Sequence, residues 1–221
     1  MFCVGRRQVA PPIRTDLEAL KMRTINVDVY EFNELSQYVQ NKVIDRYRNE
    51  LSNLLADDLK NVMDMELNNH THSLNFELAY SLNCCQGDGV SFTGSVDGKE
   101  ELLTLAGLVY GDKIPKNILR LINYNIIYEV NFARCNYHYV HKHTVQTNII
   151  DNYNMGKDYC HISRAMTEFE NAINEWRLQI CDTMEKFGYD TKENLYGDDN
   201  IRCYIDENGL EFFLDGSDYN C

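Results

Sequence analysis

Proline is scarce in this chain: three residues in 221, two of them adjacent at Pro11 and Pro12. No Ser/Gly-rich linker divides the sequence either. A string of small domains on spacers is therefore excluded, and the length suits one sizeable core. Long apolar runs are missing as well. No stretch reaches the roughly 18–20 apolar residues of a membrane span. Residues 1–21 carry Arg6, Arg7 and Arg14 and lack the apolar stretch of a secretory leader. Bases are short: 21 Lys and Arg stand against 34 Asp and Glu, a formal net charge of −13. Such a surface repels phosphates, which argues against direct nucleic-acid binding. The eight cysteines contain no CxxC pair, so neither a structural zinc site nor any other metal or cofactor is signalled. Reduced, mostly buried thiols in a cytoplasm, with no membrane contact, are the expectation.

The acidity is uneven. Residues 190–221 hold nine acids and two bases, a net of −7. Solubility, attraction to a basic partner, and mimicry of nucleic acid are the three physical readings of such a segment. The expected organisation is an N-terminal extension at 1–21, an α+β core domain at 22–189 and a loosely attached acidic C-terminal segment at 190–221.

Apolar periodicity supplies the elements. Ile25, Val27 and Val29 alternate with polar residues and predict a half-buried strand over 24–30. Asn33 is placed to cap a helix. From Leu35 through Val39, Val43, Tyr47, Leu51, Leu55 and Leu59 to Met63, apolar residues recur at helical spacing, as one long helix or two joined near 49–52. Strands are predicted at 74–82, 90–96, 126–132 and 137–150. Short helices are expected at 100–108 and from Pro115, which pre-sets a first turn. A second long helix at 161–187 buries Ile162, Met166, Phe169, Ile173, Trp176, Ile180 and Met184, with Gly188 as its stop. A short helix lies within 194–205, and a turn at 207–209 leads into a strand at 210–214. The predicted fold is α+β: a mostly antiparallel sheet with two long helices packed on one face.

Two segments carry candidate chemistry. The first is Gln86, Gly87, Asp88, Gly89, followed by Ser91 and Thr93. Glycines reach positive φ and admit close approach, so this loop can offer N–H groups to an anion. It matches neither the P-loop nor the dinucleotide fingerprint. The plainer alternative is a bulged hairpin in which Asp88 makes an Asx-turn. The second is His138, His141 and His143. On a strand, His141 and His143 share a face, where two imidazoles can bond a small molecule or hold a metal if a third ligand joins them. The plainer alternative is an exposed polar sheet face.

The run Tyr30-Glu31-Phe32-Asn33-Glu34-Leu35-Ser36, together with Gln86-Gly87-Asp88-Gly89-Val90-Ser91-Phe92, resembles a family of bacteriophage accessory proteins of no established activity. That family has a Tyr-x-Phe-x-Glu-Leu-Ser start and a Gln-Gly-Asp-Gly-x-Ser-Phe loop. The likeness extends loosely to the histidine segment and to 210–216, and leaves 1–21 outside. It implies a phage product acting against host defence. The leading expectation is a non-enzymatic binding protein for a nucleotide-like ligand or a host defence protein, open to forming a homo-oligomer. Gln86, Gly87, Asp88, Gly89, Ser91, Thr93, His141 and His143 are its contact residues. The alternatives are an acidic inhibitor that mimics nucleic acid through 190–221, and a metal-dependent hydrolase built on the histidines.

Overall fold

A computed structural model describes residues 26–72, 74–83, 85–135, 138–152 and 159–219. In chain order the elements are β1 (Tyr30–Glu31), a 3-10 turn at Phe32–Glu34, α1 (Gln37–Glu50), α2 (Ser52–Thr71), β2 (Phe76–Ser81), β3 (Gly89–Asp97), α3 (Lys99–Tyr110) and α4 (Lys116–Asn123). There follow β4 (Ile127–Arg134), a 3-10 turn at Lys142–Thr144, β5 (Val145–Asp151), α5 (Tyr159–Tyr196), α6 (Asp198–Glu207) and β6 (Glu211–Phe212). The fold is α+β. Four antiparallel strands run in the order β2-β3-β4-β5, and β1 pairs with β6 in a separate two-stranded ribbon.

Strand alternation decides which face of the sheet is covered. Register pairs Leu78 with Phe92, Val96 with Val130 and Phe132 with Thr147, so these side chains point the same way. Phe92 and Phe132 are fully buried there, and Trp176 of α5 meets the Phe92 ring edge-on at 5.9 Å. The opposite face carries Glu77, Ser95, Ala133, Gln146 and Asn148, all exposed. The helical stripe of α5 buries Phe169, Ile173, Trp176, Cys181 and Met184, and that of α2 buries Leu59, Met63 and Leu67 in the same cluster.

A second core forms where α1, α6 and the β1–β6 ribbon meet. It comprises Phe32, Leu35, Val43, Ile44, Tyr47, Leu55, Ile201, Ile205 and Phe212. The Tyr-x-Phe-x-Glu-Leu-Ser run has a structural role here. Phe32 and Leu35 are core, while the Glu34 carboxylate accepts the Glu31 N–H at 2.9 Å in a reciprocal cap of the 3-10 turn.

Four expectations are corrected. The segment predicted as a strand over 24–30 is regular only at Tyr30–Glu31, and Val27 is 48% exposed, because the ribbon offers β6 as a partner for two residues alone; Ile25 lies outside the described residues. Asn33 sits inside the 3-10 turn, and Ser36 precedes α1. Gly188 does not stop a helix, since α5 continues to Tyr196. The missing side chain serves packing instead: a Cβ there would come within 2.7 Å of Leu82 Cδ1 and 3.0 Å of Met63 Cε. Residues 190–221 are not loosely attached. The boundary read from charge falls inside α5, and Ile201, Ile205 and Phe212 complete the second core. Two of their carboxylates bond to α1: Asp218 pairs with Arg46 and accepts the Tyr47 hydroxyl at 2.8 Å, and Asp198 pairs with Arg48 at the surface.

Candidate functional site

The connection between β2 and β3 is closed by Asp88. Its carboxylate accepts from the Ser81 hydroxyl, from the Asn83 N–H at 2.8 Å and from the Cys85 N–H at 2.7 Å. The Ser81 hydroxyl, then the Cys85 N–H, hold this carboxyl below the usual carboxylate range; the Asn83 N–H and Lys192 add to the effect. Lys192 of α5 also donates to the Leu82 carbonyl at 2.5 Å, fastening the turn to the long helix. Asp88 thus organises its own hairpin, but through Ser81, Asn83 and Cys85, which precede it, and not through the expected Asx-turn to a residue that follows.

The histidine segment is not a strand. β5 begins only at Val145, and His141 instead precedes the 3-10 turn Lys142–Thr144. The cause is local hydrogen bonding. His141 Nδ1 accepts the His143 N–H at 3.2 Å, and the His141 carbonyl accepts both the Thr144 N–H at 2.9 Å and the Thr144 hydroxyl at 2.7 Å. The two imidazoles still meet, with ring centroids 5.9 Å apart, through the curl of a turn and not through strand alternation. Tyr137 lies outside the described residues.

The glycine loop and the histidine turn interlock. Val140 donates its N–H to the Gly87 carbonyl at 3.1 Å. Gly87, at φ 91°, has the Tyr139 ring where a side chain would stand, and Gly89, at φ 145°, has His141 Cβ 3.0 Å from the ideal Cβ position. The glycines admit the neighbouring loop at close range.

Residues of α5 complete the surface, and sequence reasoning missed them. Arg177, 4% exposed, donates from Nη1 to the Lys142 carbonyl at 2.6 Å; its desolvation lowers its pKa. The Lys142 ammonium pairs with Asp182. An open groove of about 490 Å³ runs between the turn and the helix, lined by Asp88, His141, His143, Glu185, Lys186 and Tyr189 among others. The available signal was a base in phase with an apolar stripe: Arg177 stands four residues after Ile173 and four before Cys181.

Of the predicted contact residues, Asp88, His141 and His143 line this groove, with Gly89 buried beneath His141. Gln86 and Gly87 lie at the loop tip. Ser91 and Thr93 do not join them. Ser91 is fully buried, with Arg134 Nη2 3.5 Å away, and Thr93 borders a different depression near Glu77 and Ala133. Among the described residues no group of three or more His, Cys, Asp or Glu side chains is arranged to hold a metal ion. No described helix is long and apolar enough to cross a membrane. The chain matches no family model, no curated protein and no solved structure.

Proposed function

We propose that the protein works by binding, as a phage-type accessory factor that engages a host defence protein through the histidine turn and the adjoining face of α5. The observation that carries this reading is the interlock of Gly87 and Gly89 with Tyr139 and His141. It makes the two loops one preorganised surface, and preorganisation lowers the ordering cost of association. The surface suits a protein partner: the groove is wide, Tyr139 is 41% exposed beside it, and acids and bases alternate along it. The phage context and the defence target rest on the motif resemblance.

A nucleotide-like ligand is the second reading. Lys186, His141 and His143 line one groove and present cationic or donor groups to a phosphate. Mimicry of nucleic acid by 190–221 ranks lower, because Asp198 and Asp218 are engaged with Arg48 and Arg46.

The test pairs two measurements on the full chain. Capture from host lysate is compared between wild type and the double variant His143→Glu/Lys186→Glu, and a native mass spectrum is compared with the denatured mass. A partner captured by wild type and lost by the variant supports the protein reading. An extra mass of a few hundred daltons that disappears on denaturation selects the nucleotide reading. A partner retained by the variant removes the groove from the interface.

A further inference from the structure

β2 is an edge strand of the four-stranded sheet. Its inner side pairs with β3 from Phe76 to Ser81. On its outer side, no described residue hydrogen-bonds the backbone of residues 77–80; beyond them, the Phe76 N–H donates to the Leu74 carbonyl and the Leu82 carbonyl accepts from Lys192. Unpaired edges template strand pairing, and proteins usually cover, bulge or charge them. Here no bulge interrupts β2, and Glu77 is the one charge on it. Beside the edge lies a trough of about 690 Å³. Half-buried Phe76 and Leu78 line it from β2 with exposed Glu77, and Lys60, Asp64 and Asn68 line it from α2, two acids against one base.

We propose that β2 accepts an extended segment of another protein as a fifth strand, and that this segment alternates Lys or Arg with apolar residues. Main-chain bonds to the open edge supply affinity, and alternate side chains supply specificity. The alternation follows from the register. Side chains on one face of the incoming strand lie over Phe76 and Leu78, and those on the other meet exposed Glu77. Neither Glu77 nor Asp64 has an ion-pair partner among the described residues. Charge also argues against a second copy as the occupant. Pairing β2 with itself brings Glu77 and Asp64 near their own counterparts, on chains that each carry −13. The inference stands apart from the histidine groove and survives if that groove proves idle.

The probe is a fluorescent heptapeptide alternating Lys and Val, titrated into the full chain by anisotropy. Two versions N-methylated on alternate residues and a Glu/Val counterpart serve as comparisons. The parent peptide is expected to bind. One N-methylated version should bind about tenfold more weakly, because two or more edge bonds are lost, and the other should match the parent. Glu77→Lys should weaken binding several-fold while leaving the melting temperature unchanged. Equal binding of both methylated versions means adsorption by charge alone and overturns the proposal, as does no binding. Sedimentation showing concentration-dependent dimers that Glu77→Lys strengthens would reassign the edge to a second copy and also overturn it.

Discussion

The Tyr139 ring lies where a side chain on Gly87 would have to stand: the ideal Cβ of residue 87 falls 2.1 Å from Tyr139 Cδ1. One glycine in the β2–β3 turn thus sets how close the histidine turn can come. Gly87→Ala forces the ring away and places alanine at φ 91°. A cost of about 1–3 kcal/mol is expected from overpacking and backbone strain together. Tyr139→Ala in the same chain should recover the packing share but not the strain. A double-mutant cycle by urea denaturation reads the coupling, and simple additivity would contradict the contact.

Asp88 gives an acid-side signature. Its folded pKa is depressed, chiefly by the Ser81 hydroxyl and the Cys85 N–H. Stability from this group is therefore fully present above the ordinary carboxylate pKa and is lost as pH falls through the folded value. Asp88→Asn should melt below wild type at pH 7, and the gap should close as the solution is acidified through that window. A gap independent of pH would show that the ionised carboxylate is not what organises the turn.

Tyr47 gives the opposite sign at alkaline pH. Burial first, and the hydrogen bond to Asp218 second, push its phenol up to about 12. The stabilisation is present below the ordinary tyrosine value and is lost as pH rises from about 10 through the folded value. Ultraviolet titration of wild type against Tyr47→Phe should assign one late-ionising phenol to this residue. Asp218→Asn should shift that titration down.

Arg177 separates local from global stability. Its bond to the Lys142 carbonyl is made by a desolvated guanidinium, whose burial offsets much of what the bond contributes. Arg177→Met should change unfolding free energy by only about 1 kcal/mol while freeing the turn. Hydrogen exchange at 141–144 should accelerate on its own. Slow exchange in the variant would show that Lys142 and Asp182 suffice to hold the turn.

The acidic end is tested by Phe212, which is fully buried in the second core. Phe212→Ala should cost about 3–5 kcal/mol, the range for a large core truncation. A loss under 1 kcal/mol in urea denaturation would mean that α6 and β6 contribute little to the fold.

Elements whose side chains repeat in phase were legible without any tertiary contact. The α2 and α5 stripes, the alternation of β2, β3 and β4, and the α+β class follow from periods of 3.6 and 2.0 read locally. A local bond of Asp88 within its own loop was also legible, as an Asx-turn, although the carboxylate instead reaches Asn83 and Cys85 before it. Tertiary structure decided what depends on distant partners. Gly188 is a stop signal in isolation and a packing gap once Met63 and Leu82 face it. Acids at 198 and 218 look like free surface charge until Arg48 and Arg46 arrive from 150 and 172 residues away. The histidine turn closes through its own local bonds, and Arg177 and Asp182 decide that it docks on α5. Local pattern encodes which face of an element is apolar; which faces then meet is fixed by contacts between remote residues, and the candidate site is built almost wholly from those.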